Sequence, residues 1–262
     1  MRASRQVGFT LIELITVIVI IGILATMTTN IITLPVQAYV DLARRTTLVD
    51  NADTALRLMQ RDIRRALPNS LRLNAAGTSL ELLHTSEGGR YRAQKASDGS
   101  GNTLDFSTAD ASFDVIGSLN NAPQGELVIY NLGSGEADAY AGTNRATLAS
   151  SATTTSIVLT AAKQFPLASP HQRFYVVDTP ITYRCDGGRL LRYSDYPISS
   201  TAADPPSGVT GQLLVNQVGA CQFVYTEGTA TNSGLLSLQL TLTDDAGESV
   251  SLLHQVHVDN AP

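Results

Sequence analysis

The sequence predicts an α+β molecule: one long N-terminal α-helix, apolar in its first half and amphipathic in its second, packed on an antiparallel β-sheet head. Three observations predict it. Residues 9–34 (FTLIELITVIVIIGILATMTTNIITL) form an apolar run whose only ionisable side chain is Glu13. Residues 36–67 contain neither glycine nor proline and repeat apolar residues at helical spacing. After Pro68 the texture changes to short apolar alternations separated by Gly, Asn, Asp, Ser and Thr. With 262 residues, 43% of them hydrophobic, the chain can build one sizeable core or two small ones and is not a disordered segment.

The apolar run is long enough to cross a bilayer. Its helix would reach about 39 Å at about 1.5 Å per residue, against a hydrocarbon core of about 30 Å. Arg2 and Arg5 precede it, which predicts a cytoplasmic N-terminus and a body across the membrane, in the periplasm of a diderm cell. A secretory signal peptide is the other reading of the same run. Leu14–Ala25 has the length of an h-region, but Thr26-Met27-Thr28-Thr29-Asn30 offers no A-x-A cleavage pattern. Glu13 suits neither a plain anchor nor an h-region. A carboxylate costs about 2.5–3.5 kcal/mol at the bilayer centre and less toward the ends, so its presence asks for a function.

Gly8-Phe9-Thr10-Leu11-Ile12-Glu13, behind a short basic leader and ahead of the apolar helix, resembles the class III signal of type IV pilins and pseudopilins. The resemblance implies cleavage between Gly8 and Phe9 by an inner-membrane prepilin peptidase and N-methylation of Phe9. It also implies that Glu13 pairs with the Phe9 amine of a neighbouring subunit. Each part has a physical rationale. A glycine lets the backbone enter a peptidase cleft without side-chain obstruction, and pairing two charges in lipid offsets much of the cost of burying either alone. One departure stands out. Major pilins carry a proline at the position of Asn30; here Gly22 and Pro35 are the soft points, so a kink or melted stretch is expected near Pro35.

The amphipathic half follows. Val49, Ala52, Leu56, Met59, Ile63 and Ala66 lie on one helical face, Asp53 and Arg57 form an i,i+4 pair, and Pro68 ends the helix. Arg57, Arg61, Arg64 and Arg65 lie mostly on the other side. Asp41 to Leu67 holds six arginines against four aspartates, whereas the chain from Pro68 onward holds ten Lys or Arg against eighteen Asp or Glu, a net of −8. The arginines could grip DNA or anionic lipid, or could face solvent or an acidic neighbour. The acidic body favours the second pair of readings and argues against nucleic acid as a partner. Residues 35–45 (PVQAYVDLARR) and 53–70 (DTALRLMQRDIRRALPNS) resemble the MshO-type minor pilins of the mannose-sensitive haemagglutinin (MSHA) pilus. That resemblance implies other major and minor pilins, the inner-membrane assembly platform and inner-membrane lipid as partners. It implies a life first as a single-pass inner-membrane protein and then in a pilus on the cell surface.

The expected organisation is a leader over 1–8, a transmembrane and fibre-core helix over 9–35, the amphipathic half over 36–68 and a periplasmic head over 69–262. Strands are predicted at 80–83, 126–130, 156–160, 173–177, 181–185, 189–193, 212–218, 221–226, 235–243 and 249–258. Asp186-Gly187-Gly188 and Asp244-Asp245-Ala246-Gly247 mark two tight turns. Residues 96–103, 133–155 and 199–211 read as loops. In an oxidising compartment Cys185 and Cys221 read as a disulfide between two strands; they lack the C-x-x-C spacing of a redox pair.

Catalytic chemistry is not legible. His254 and His257, three apart on a predicted strand, face opposite sides, and His84 and His171 sit in no partner motif. There is no G-x-S-x-G, Walker loop or H-E-x-x-H. Asp244, Asp245 and Glu248 crowd one turn, read as solvated, with calcium the rival reading. No cofactor, metal or enzyme activity is expected. The function implied is that of a minor pilin in pilus assembly, in a priming or tip complex. The alternatives are a J-type pseudopilin of type II secretion and a pilus-tip adhesin.

Overall fold

The computed structural model describes residues 8–202, 204–228 and 233–260; Arg2 and Arg5 of the basic leader lie outside the described residues. Helix α1 runs over Leu11–Arg64, 54 residues, or about 81 Å. Thr10 caps it in an extended conformation, its Oγ1 accepting from the Glu13 N–H. Glu13 lies in the first turn and Arg61 and Arg64 in the last, each sign complementing the helix dipole at its end. The helix closes with the Arg65 N–H donating to the Asp62 carbonyl and the Ala66 N–H to that of Ile63. The helix passes through Pro35 without interruption, so no melted stretch divides its halves. A proline removes one donor and crowds one turn, while the turns on either side keep their bonds. The helix also stops short of Pro68, because the chain there turns to sheet pairing. Ala66 bridges His84, and the Leu67 N–H donates to the Leu83 carbonyl at 2.8 Å.

Among the described residues the head contains twelve strands: β1 (Arg72–Leu73), β2 (Ser79–Tyr91), β3 (Asp110–Ile116), β4 (Glu126–Ile129), β5 (Arg145–Thr147), β6 (Ser156–Lys163), β7 (Arg173–Asp186), β8 (Arg189–Tyr193), β9 (Gln212–Val215), β10 (Val218–Thr226), β11 (Gly234–Thr243) and β12 (Ser249–Val258). All pairings are antiparallel. One sheet has the order β5-β4-β7-β2-β3-β6, with β1 on β2 and β8 and β9 extending from β7. The other is β10-β11-β12. The long β2–β7 ladder is the spine of the head. The sequence predicted two strands in place of β7 and only a short part of β2. Pro180 and the poorly alternating run from Thr85 to Gly89 hid their continuity, and the structure absorbs both through bulges at His84–Thr85 and Thr85–Glu87.

Helix and sheet meet in one core and the far half of the head makes another. Ala52, Leu56, Met59 and Ile63 of the predicted face are buried, Val49 and Ala66 are half-buried, and Leu48 and Ala55 join them. They pack on Leu80, Leu82, Ile181 and Tyr183 of the spine and on the inward row Leu236, Leu238, Leu240 and Leu242 of β11. The second core gathers Tyr91, Phe113, Leu127, Ile157, Phe165 and Phe174, with Phe113 and Phe174 edge-to-face at 5.7 Å. The Asp186–Arg189 pairing across Gly187 (φ 56°) and Gly188 (φ 75°) forms the first predicted turn; only residues tolerant of the left-handed region fit both central positions. None of β10, β11 and β12 contains Asp, Glu, Lys or Arg.

Candidate functional site: the exposed helix and its first turn

Sequence and geometry both single out the N-terminal turn. Gly8 has open space around its Cα, and Phe9 is 76% exposed. The peptide between them is therefore free of obstruction. Glu13 lies one turn further on, and the Thr10 hydroxyl is 3.4 Å from its Oε2. Gly8, Phe9 and Glu13 are thus brought together at the start of α1. The carboxylate has no cation within 4.0 Å among the described residues.

Beyond this turn the helix is built for lipid. Leu11–Thr28 has a mean hydropathy of 2.5 and buries nothing against the head. Its length, about 27 Å, approaches the hydrocarbon thickness of about 30 Å. The threonines within it do not spoil that character. Thr16 Oγ1 donates to the Ile12 carbonyl at 2.7 Å, Thr26 Oγ1 to Ile23 at 2.9 Å and Thr28 Oγ1 to Leu24 at 2.7 Å. Each hydroxyl is satisfied one turn back, as an apolar medium requires. Every side chain described between Gly8 and Thr47 is exposed, and the head begins to cover the helix at Leu48.

Among the described residues, one buried polar cluster fixes the helix end on the head and a second knits β1 and β2 to two loops of the head, and sequence reasoning missed both. Asp62 is 5% exposed; its Oδ2 accepts from Tyr183 Oη at 2.6 Å and from Arg192 Nε at 2.9 Å. Burial, and then the adjacent carboxylate, push the Tyr183 hydroxyl far above its ordinary pKa. In the second cluster Arg72 Nε donates to Glu81 at 2.6 Å, its guanidinium stacks 3.6 Å from the Tyr140 ring centroid, and Tyr196 Oη donates to Glu81 at 3.1 Å. The one available signal for the first cluster was an aspartate wedged between Met59 and Ile63 on the edge of the apolar face.

The other candidates sit apart. Cys185 and Cys221 form the expected disulfide, Cα–Cα 6.4 Å, joining β7 to β10 and so one sheet to the other. His254 lies on the inward row of β12 with Nε2 3.7 Å from Asp53 Oδ1, and His257 is exposed on the opposite face, as their spacing implied. His84 Nδ1 lies 2.7 Å from Asp178 Oδ1. The Asp244 carboxylate accepts from the N–H groups of Ala246 and Glu248, and Glu248 reaches Arg45 at 3.6 Å. Asp53 Oδ2 holds Arg57 Nε at 2.6 Å, the predicted i,i+4 pair.

The family model for the prokaryotic N-terminal methylation motif matches residues 4–29. No curated protein and no solved structure matches the chain. Motif and apolar helix together fit a single-pass, membrane-anchored, pilin-like or pseudopilin-like protein. That class consists of structural subunits, processed by a prepilin peptidase and assembled with other pilins.

Proposed function

We propose that this chain is a minor subunit of a type IV pilus of the MSHA type. The observation that carries the reading is the Gly8–Phe9 junction and Glu13, set at the exposed tip of a lipid-compatible helix continuous with a folded head. Three steps follow. The apolar helix inserts in the inner membrane with its N-terminus cytoplasmic. Prepilin peptidase cleaves after Gly8, and Phe9 becomes the methylated N-terminus. The subunit then leaves the bilayer for a helical fibre, where Glu13 meets the Phe9 amine of a neighbour and sets the axial register. A large loop-bearing head suits a priming or tip position among other minor pilins.

The same signal serves the J-type pseudopilins of type II secretion, the competing assignment. The arginine-rich end of α1, resembling the MSHA type, supports the pilus. Intact-mass analysis of the protein from native membranes, with and without reductant, tests the processing step. A mature chain beginning at methylated Phe9, two hydrogens light until reduced, is expected. A chain beginning at Met1 or beyond Ala25 overturns the mechanism. A Glu13→Val variant is expected to be processed yet excluded from pili; wild-type incorporation would remove the register role. Loss of MSHA pili on deletion, with secretion intact, separates the two assignments.

A further inference from the structure

We infer that the arginine stripe at the head end of α1 docks the acidic head of a neighbouring membrane-anchored subunit, an inference that rests on the pilin-like reading above. Arg57, Arg61, Arg64 and Arg65 fall at i, i+4, i+7 and i+8, one helical face, and the opposite face holds the buried Leu56, Met59 and Ile63. All four are exposed, Arg57 and Arg61 with side chains 72% and 69% accessible. Arg57 shares Asp53, and Arg61 lies 4.0 Å from Asp62, whose other oxygen already serves Tyr183 and Arg192. Arg64 and Arg65 have no carboxylate within 4.0 Å among the described residues. The stripe is therefore a surplus of positive charge pointing away from its own head.

Position selects the partner. From Thr28, the last residue of the apolar window, to Arg57 the helix rises about 44 Å. Anionic headgroups lie several Debye lengths away at physiological salt, each about 8 Å. A phosphodiester backbone would meet the repulsion of a head region carrying a net −8. A second subunit anchored by a similar helix in the same bilayer, in contrast, presents its head at the height of the stripe. This chain's own head shows the charge such a head can carry. Carboxylates on that surface match the forked guanidinium donors in geometry and sign.

The test places photoreactive benzoylphenylalanine in place of Arg64 in the full-length chain, in native membranes, with a second site in place of Ile18 as control. Arg64-site adducts should map by mass spectrometry to an Asp- or Glu-bearing head peptide of another anchored subunit. Their yield should fall at least threefold between 0.05 and 0.5 M NaCl, the range over which screening shortens sharply, while Ile18-site adducts hold steady. Combined Arg57→Glu, Arg61→Glu and Arg65→Glu substitutions should abolish the adduct, and the corresponding lysine variants should retain most of it. Adducts to lipid, to nucleic acid or to the chain's own head, or a yield indifferent to salt, overturn the inference. Ile18-site adducts to a neighbour without any from the Arg64 site overturn it while sparing the fibre reading; silence at both sites overturns the two together.

Discussion

Asp62 carries a negative charge into the seam between α1 and the spine, where Tyr183 and Arg192 supply two donors to one oxygen. Removing it strands a phenol and a guanidinium at the seam. Asp62→Ala should therefore cost about 3 kcal/mol, the scale for breaking a buried pair from one side, read as a lowered urea midpoint of the detergent-solubilised chain. Asp178 gives a pH-dependent counterpart. Burial alone would raise its pKa, but the His84 hydrogen bond and charge, with the Thr179 N–H, hold it below the usual carboxylate value. A depressed folded pKa stabilises above the unfolded value, near 4, and that stability is lost as pH falls through the folded pKa. His84→Gln should thus flatten the decline of stability measured between about pH 5 and pH 2. Of these partners the sequence exposes only the residue types. Asp62 looks like the polar border of an amphipathic wheel, and its acceptor role depends on Tyr183, 121 positions away.

Among the elements, α1 was the most legible, because its signals are local: the apolar run, the apolar period and the Asp53–Arg57 pair each lie within a few turns. The final hairpin was equally clear, its leucines alternating with polar residues around a marked turn. β3 and β5 were missed for the opposite reason. β3 has only Phe113 and Val115 fully inward, and β5 is a three-residue strand inside a stretch rich in loop formers, so each is held by its neighbours more than by its own pattern. The disulfide joins elements that backbone pairing leaves in separate sheets. Cys185→Ser with Cys221→Ser should lower stability by about 3 kcal/mol, checked by denaturant titration. Its loss should fall chiefly on β10–β12, seen as faster hydrogen exchange there than in β2 and β7.

Among the described residues, the two largest apolar clusters are strung along the β2–β7 spine, and of these two only the first contains residues of the helix. The near core fixes the head to the helix, and the far core holds the rest of the head together without contact with the helix. This division was out of reach of sequence reading. It depends on strand order, and pairings between residues as distant as Leu80 and Tyr183 leave no local trace. The α+β class and the candidate site at Gly8, Phe9 and Glu13 were legible because composition and a contiguous motif carry them. Continuity of α1 through Pro35 has a final consequence, one of angular phase. A helix unbroken from Leu11 to Arg64 ties the bearing of the head to the number of residues beneath it. One alanine inserted between Thr28 and Leu48 would swing the head by about 100° around the axis, whereas seven would return it to within about 20°. On the pilus reading proposed above, incorporation should vanish with the first insertion and recover in part with the second, so immunogold counts on isolated fibres would read the angular tolerance of assembly from the number of residues in the helix.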